Sequence, residues 1–334
     1  VLVVGDEAVG KTSLVRYLMD RQPRDESEKK TPGIVIRRDV PIADWSAAES
    51  PIRLHFWDFG GQEIMHQTHR YFLTRRSLYL VVLEDRREDD RSVYDWLKVI
   101  RSRGGESPIL VVINKCDDGA ANLRLDETGI LAGHPNVVGF VAVSCNEGSE
   151  ALIDGLRHRI ADLVVNDPRL KHVRDPFPPE QLRVKSAVAA AASEARYLAR
   201  ADFVKLCEGA DDPELRITNP DLQHSLLQLL HDLGTVVAHG LERQRSAAAR
   251  EVTLLDPNWL TEAIYTLLNS KRILDQGGAF DAADMATELD SERFPPERHE
   301  YIIEMMQEPE IGLCLRLPGQ GEPRWLIPEC LPTN

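Results

Sequence analysis

Gly5-Asp6-Glu7-Ala8-Val9-Gly10-Lys11-Thr12 follows the apolar run Val1-Leu2-Val3-Val4 and opens the helix-like Ser13-Leu14-Val15-Arg16-Tyr17-Leu18. The stretch fits the spacing G-x-x-x-x-G-K-[ST] between a strand and a helix. Gly5 and Gly10 permit backbone geometries that crowd other residues, so successive N–H groups can converge on phosphate oxygens at a helix N-terminus. Lys11 then neutralises the outer phosphates, and the Thr12 hydroxyl suits Mg²⁺, a hard cation that prefers oxygen. A plain glycine turn would explain the two glycines but not the Lys-Thr pair in this context.

Outward from it, the charged, Pro-containing Asp20 to Lys30 leads to Thr31-Pro32-Gly33-Ile34 and a strand expected over Val35 to Ile42. A threonine about twenty residues past the lysine is where nucleotide switches carry a second Mg²⁺ ligand that senses the γ-phosphate. The alternating strand Ile52 to Trp57 ends in Asp58-Phe59-Gly60-Gly61-Gln62-Glu63. An acidic residue ending a strand beside a phosphate loop can hold Mg²⁺ through water, Gly61 offers an amide to the γ-phosphate, and Gln62 is spaced to orient an attacking water. A Gly-Gly hairpin turn accounts for the glycines alone. His66 and His69 sit three apart but have no third metal ligand nearby, so they read as polar residues of the same segment rather than as a zinc site.

Two continuous apolar runs, Ser77 to Leu83 and Ile109 to Ile113, read as strands buried on both faces, with a helix over Ser92 to Ile100 between them. The second run ends in Asn114-Lys115-Cys116-Asp117. A carboxylate is an acceptor pair, and guanine presents N1–H and an exocyclic amine as adjacent donors where adenine does not, so Asp117 discriminates between the two bases. Asn114 is expected to tie loops together and Lys115 to lie along the base. A strand over Val138 to Val143 leads to Ser144-Cys145-Asn146, placed like a third base-contacting loop.

The chain has 334 residues, 43% hydrophobic and 28% charged, which allows two domains with cores of their own. The formal net charge of −14 disfavours a general nucleic-acid or anionic-membrane surface, because both draw affinity from clustered cations. The five cysteines are scattered and lack CxxC spacing, as expected of reduced thiols in a cytoplasmic protein. No apolar run is long enough to span a bilayer and no signal peptide opens the chain. The sequence begins without Met inside a strand, which is expected of a piece of something longer.

A helix over Ala151 to Ile160 closes the first half, and Asp167 to Glu180, with Pro168, Pro176, Pro178 and Pro179, is expected to be an extended linker. Beyond it the sequence predicts helices over Leu182 to Leu198, Asp202 to Cys207 and Asp221 to Leu233, the last burying Leu222, Leu226, Leu229, Leu230 and Leu233. Strands follow over Thr235 to His239 and Glu251 to Leu255, then a helix from Asp256-Pro257, and a terminal hairpin of Cys314 to Leu317 with Arg324 to Pro328. Trp259 and Trp325 read as core anchors. Helices followed by a small sheet look like a winged helix, and the acidic charge with the leucine face points to protein packing rather than DNA.

In the order of these motifs, residues 1–165 resemble the Ras-like GTPases. The resemblance implies an α/β fold with a mostly parallel sheet and GTP or GDP with Mg²⁺. It assigns Gly5, Asp6, Glu7, Ala8, Val9, Gly10, Lys11, Thr12 and Ser13 to the phosphates, Thr31 to the first switch and Asp58 to Gln62 to the second. Asn114, Lys115, Asp117, Ser144, Cys145 and Asn146 fall to the base. Glu7 stands where Ras has a glycine beside the γ-phosphate, and Asn146 where a lysine is usual.

The second half narrows the resemblance. Leu230-His231-Asp232-Leu233-Gly234, Leu255-Asp256-Pro257-Asn258-Trp259-Leu260 and Trp325-Leu326-Ile327-Pro328-Glu329-Cys330-Leu331 resemble the COR region that follows the GTPase in Roco proteins. Trp57-Asp58-Phe59-Gly60-Gly61-Gln62-Glu63 through His69-Arg70-Tyr71-Phe72-Leu73 is similar to the Roc form of switch II. The resemblance implies a Roc domain at 1–165, a linker at 166–180 and the first COR subdomain, an α+β winged-helix-like unit, at 181–334, without the second. It implies a large protein, often with leucine-rich repeats upstream, in which nucleotide state alters Roc–COR packing and dimerisation. Arg103 lies where the family places a residue near the Roc–COR contact; a surface arginine in a turn is the other reading. The motifs also fit a nucleotide-dependent scaffold that binds without hydrolysing.

Overall fold

The computed structural model describes residues 1–24, 33–45, 52–60, 72–85, 91–117, 121–238, 241, 251–308, 312–319 and 321–331. Thr31, Gly61, Gln62, Glu63, His66 and His69 lie outside the described residues. The chain divides into two compact units, Val1–Pro176 and Phe177–Asn334.

The first unit is built on a six-stranded sheet of order β2-β3-β1-β4-β5-β6. Its strands are β1 (Leu2–Val4), β2 (Ile34–Pro41), β3 (Arg53–Phe59), β4 (Tyr79–Glu84), β5 (Ile109–Asn114) and β6 (Val137–Ala142). β2 runs antiparallel to β3 at one edge and every other neighbouring pair is parallel. That is the mostly parallel α/β architecture of the Ras-like fold. All six residues of β5 and the first five of β4 are buried, which is why these strands lack alternation: helices cover both faces.

The helices are α1 (Lys11–Asp20), α2 (Arg91–Gly104), α3 (Glu127–Gly133) and α4 (Glu150–Asn166). α1 packs Leu14, Tyr17 and Leu18 into a core shared with Phe56, Leu80, Val82, Leu110, Val112, Ile153 and Leu156. Its C-terminal carbonyls are closed by a side chain from elsewhere: Arg157 of α4, only 6% exposed, donates from Nε to the Leu18 carbonyl at 2.6 Å and lies over the Trp45 ring. A fixed cation at a helix C-terminus also complements the helix dipole.

Several boundaries differ from those expected. β3 continues through Asp58 and Phe59, because both still pair across the sheet, Asp58 with Val3 on one side and Val35 on the other. α2 runs to Gly104, which places Arg103 in its last turn rather than in a following turn. Part of the segment expected as an extended linker folds: Pro168–Arg174 is a 3-10 helix capped by Asp167, and Leu170, 3% exposed, joins the core of the first unit. Asp167 accepts from the Arg169 backbone at 2.9 Å and from Arg169 Nε at 2.8 Å.

The second unit combines helices with two three-stranded antiparallel sheets. α5 (Pro179–Ala191), α6 (Arg200–Glu208) and α7 (Pro220–Asp232) surround β7 (Tyr197–Ala199), β8 (Val237–Ala238) and β9 (Val252–Leu254), ordered β7-β9-β8. The helix expected to Leu198 therefore stops at Ala191, since Leu198 pairs with Thr253 across β9. α8 (Pro257–Leu268), α9 (Lys271–Asp275), α10 (Ala282–Glu288) and α11 (His299–Met306) accompany the second sheet. In that sheet, the central β12 (Arg324–Leu326) pairs with β10 (Ala279–Asp281) and β11 (Leu315–Arg316).

α7 buries Gln223, Leu226, Leu227 and Leu230 and leaves Leu222 58% exposed, so the buried face is turned from the expected leucine stripe. Gln223 holds a core position because its amide donates to the Ile217 carbonyl at 2.8 Å and to Glu208 at 3.2 Å. Trp259 is fully buried, donates its indole N–H to the Arg293 carbonyl at 2.7 Å, and packs against Tyr197, Phe294 and Tyr301. Trp325 is half-buried against Phe280.

Candidate nucleotide-binding site

β1 delivers the chain into the phosphate loop, and the loop's shape follows from what lies against it. Gly5 has φ 146°, and a Cβ there would stand 2.3 Å from the Val82 carbonyl oxygen on β4. Gly10, at φ 91°, caps α1, and its Cβ would meet the Asn114 side-chain amide at 2.4 Å. Both positions thus exclude a side chain on backbone geometry and on space. Ala8 also takes positive φ, 63°. Gly10, the N-cap of α1, has no side chain with which to cap it, and the first-turn amides of such a helix point outward, as anion-binding N-termini require. Lys11, 5% exposed, folds back over the loop and donates from Nζ to the carbonyls of Gly5 at 2.8 Å and Asp6 at 2.7 Å. Thr12 and Ser13 continue the first turn of α1, Ser13 buried and Thr12 half-buried. Glu7 is half-exposed in the loop itself.

Asn114 joins three loops. At the end of β5 and 1% exposed, it donates from Nδ2 to the Val9 carbonyl at 2.9 Å, and its Oδ1 accepts from the Lys115 backbone at 2.8 Å and the Cys145 thiol at 3.5 Å. Lys115 takes the left-handed conformation at φ 68°, a strained geometry for a side chain with a Cβ. Its ammonium reaches back to the Ala8 carbonyl and to Glu84, each at 2.7 Å. Asp117 is exposed at the rim, and its Oδ1 accepts from Ser144 Oγ at 3.2 Å and Asn146 Nδ2 at 2.7 Å. Between them Cys116 is buried, with its thiol pushed up to about 11 by burial. It packs structurally while its neighbours point outward. The structure therefore brings Gly5 to Ser13, Asn114, Lys115, Asp117, Ser144, Cys145 and Asn146 into one hydrogen-bonded neighbourhood.

The metal candidates are divided. Asp58, 1% exposed near the end of β3, and Thr12, in the first turn of the helix that follows β1, the strand beside β3, offer two hard oxygen donors of the kind Mg²⁺ takes. Mg²⁺ typically takes few protein ligands and completes its shell with phosphate and water, so this donor set fits it. Thr31, the third candidate, falls outside the described residues, as do Gly61 and the catalytic candidate Gln62. Among the described residues no group of three His, Cys, Asp or Glu side chains could hold a metal. Arg103 is half-buried in the last turn of α2.

Three contributors escape a linear reading. Trp96 of α2 donates its indole N–H to Asp6 Oδ1 at 3.1 Å, tying the second residue of the phosphate loop to that helix. Glu84, at the end of β4, holds the Lys115 ammonium. Asp85, 9% exposed, accepts from the Leu123 backbone at 2.8 Å and from the Asn122 side chain at 2.9 Å, anchoring the loop after Asp117. The usable sequence signal was position: Glu84 ends β4 and Asp85 follows it, at the C-terminal edge that flanks the phosphate loop as switch-point sites do.

Comparison with known proteins agrees with this fold. A family model described as "Ras of Complex, Roc, domain of DAPkinase" matches residues 1–117, and one described as "C-terminal of Roc, COR-A domain" matches residues 178–331. Among solved structures, that of Methanosarcina barkeri Roco2 RocCORdC bound to GDP is similar with a TM-score of 0.81 and 29% identity, covering 99% of this chain and 94% of that one. Among curated relatives, the probable serine/threonine-protein kinase pats1 of Dictyostelium discoideum is 24% identical over 94% of this chain and 10% of its own length. The Roc-COR-CHAT protease of Runella zeae is 26% identical over 80% of this chain and 29% of its own length. Leucine-rich repeat serine/threonine-protein kinase 1 of Mus musculus is 24% identical over all of this chain and 18% of its own length. The chain thus spans between a tenth and under a third of the length of these curated relatives. With both models matching in order and a Roco structure sharing the architecture, the chain belongs to the Roco family, as a Ras-like Roc domain followed by a COR-A domain.

Proposed function

We propose that the first unit binds GTP and GDP with Mg²⁺ and hydrolyses GTP, and that nucleotide state regulates Roc–COR packing and dimerisation within a larger, cytoplasmic signalling protein. The Roc domain is assigned to 1–165 and COR-A to 181–334. The observation that carries this reading is the bonding of the phosphate loop to the base-reading loops through Asn114, with Asp117 held at the rim by Ser144 and Asn146. Two acceptors on one carboxylate match the paired donors of guanine, and the GDP in the Roco2 structure is the same class of ligand.

In this reading the loop amides and Lys11 bind the outer phosphates, the ammonium exchanging its two loop carbonyls for phosphate oxygens. Lys115 lies along the base, fixed by Glu84 and the Ala8 carbonyl. Mg²⁺, held by Thr12 and Thr31 and through water by Asp58, would supply charge neutralisation at the transferred phosphoryl group. Gln62 orients the attacking water. Catalysis by positioning and fixed charge, without covalent chemistry, implies slow intrinsic turnover. Release of the γ-phosphate frees Thr31 and Gly61, and the switch segments then act on COR-A.

Single-turnover hydrolysis with radiolabelled GTP tests the reaction. Wild type should release phosphate and Gln62→Leu should not, while both bind nucleotide alike. Binding without phosphate release in wild type would make the unit a nucleotide-dependent scaffold instead.

A further inference from the structure

We propose that Trp96 is a positioning residue for nucleotide binding, acting through Asp6 on the phosphate loop. The inference rests on the reading of that loop given above and assigns part of the loop's working shape to α2, a helix with no nucleotide contact in that reading.

Asp6 joins the loop's cation to α2. Its carbonyl seats the Lys11 ammonium at 2.7 Å, and its carboxylate Oδ1 accepts the Trp96 indole N–H at 3.1 Å. The residue before it is Gly5, at φ 146°, and a glycine restrains the chain that follows less than any other residue does. The restraint from Trp96 arrives from 90 residues away, on a helix that is itself fixed. Val93, Leu97 and Ile100, on one face of α2, are fully buried. In the last turn Gly104 lacks the Cβ that would stand 2.8 Å from the Tyr79 ring, so the helix closes on that ring. Trp96 is 7% exposed, and an indole has a single N–H, so this hydrogen bond ties one defined point of the helix to one defined loop residue. Phosphate-loop amides act only when they converge, so a displacement of about 1 Å at residue 6 weakens binding without removing any nucleotide contact. A ring that only filled space would stabilise the unit whatever stood at position 6. A ring that positions the loop matters to the nucleotide in step with the acceptor there.

The test is a double-mutant cycle on GDP affinity, measured by calorimetry with Mg²⁺. Trp96→Phe keeps an aromatic ring and removes the N–H; it is made in the wild-type, Asp6→Asn and Asp6→Ala backgrounds, with the melting temperature of each as the folding control. Loss of a hydrogen bond to a half-buried carboxylate should weaken GDP roughly fivefold in wild type. The same change should cost about threefold beside Asp6→Asn, which keeps a neutral acceptor, and less than about 1.5-fold beside Asp6→Ala, which keeps none. The two Asp6 variants also serve by themselves, with the core untouched. Both remove the charge, so Asp6→Ala should bind GDP about threefold more weakly than Asp6→Asn through the lost acceptor alone. An equal cost of Trp96→Phe in all three backgrounds, no cost in wild type, or equal GDP affinity of Asp6→Asn and Asp6→Ala would overturn the proposal. Wild type that gives no heat with GDP or GTP would instead overturn the phosphate-loop reading beneath it.

Discussion

Asn114 is the side chain on which the nucleotide-site geometry converges, and its removal has a calculable cost. Asn114→Ala deletes the 2.9 Å bond to the Val9 carbonyl and the 2.8 Å bond from the Lys115 amide at a position 1% exposed. Each backbone group left without its partner away from water costs about 1–3 kcal/mol, and the vacated amide volume adds a smaller cavity term. The expected total is about 3 kcal/mol. With an m-value of about 2 kcal/mol/M, that lowers the urea midpoint of the first unit by roughly 1.5 M. Gly10→Ala attacks the same contact from the other side, because its Cβ would stand 2.4 Å from the same amide. The two changes should therefore be strongly non-additive. In the Asn114→Ala background Gly10→Ala loses its clash and costs only the strain of φ 91°, about 1–2 kcal/mol. The assay is urea unfolding followed by fluorescence, with Trp45, Trp57 and Trp96 reporting on this unit. Additive single and double variants, or an Asn114→Ala shift below about 0.5 kcal/mol, would refute the claim that this amide locks the loops together.

Further expectations concern the rest of the chain. On α7, Leu226→Ala should cost about 2–4 kcal/mol and Leu222→Ala less than about 0.5 kcal/mol, measured by denaturation of the second unit. Equal costs would contradict the buried face found here. Asp167 is held below its ordinary range by the Arg169 side-chain hydrogen bond, so its contribution is present above the unfolded carboxylate value near pH 4 and is lost as pH falls through the lower folded value. Asp167→Asn should therefore destabilise by about 1–2 kcal/mol at pH 7 and converge with wild type in strong acid; a constant difference down to pH 2 would contradict this. Burial holds the thiols of Cys116 and Cys207 near 11 and Cys314 near 12, so native protein at pH 8 should resist maleimide labelling at these positions over minutes, as read by mass spectrometry.

Much of the site was legible because its chemistry is written in contiguous runs. Gly5 to Thr12 and Asn114 to Asp117 each follow an apolar strand, and strand ends at one sheet edge converge wherever the strands are parallel. The contacts that fix those runs were not legible, since each joins residues far apart in sequence: Trp96 to Asp6, Asn114 to Val9, Asn146 to Asp117. Asn146 is expected at the base from its place in the loop after β6, but its amide on Asp117 is visible only in the folded turn. In the second unit, the helix spacing of Leu222, Leu226, Leu229, Leu230 and Leu233 points to one buried leucine face, from which Leu222 is in fact turned out. Gln223 satisfies its amide internally and so competes for the core where hydropathy alone would exclude it. The proline-rich segment after Asn166 looked extended by composition, but Asp167 caps a 3-10 turn that seats Leu170 in the core.

The most direct test is nucleotide selectivity by calorimetry with Mg²⁺. Wild type should bind GDP and leave ADP and xanthosine diphosphate unbound at the same concentrations, and Asp117→Asn should exchange GDP for xanthosine diphosphate. Equal heats for GDP and ADP in wild type, or a preference unmoved by Asp117→Asn, would contradict the assignment of the base-reading carboxylate and the function built on it.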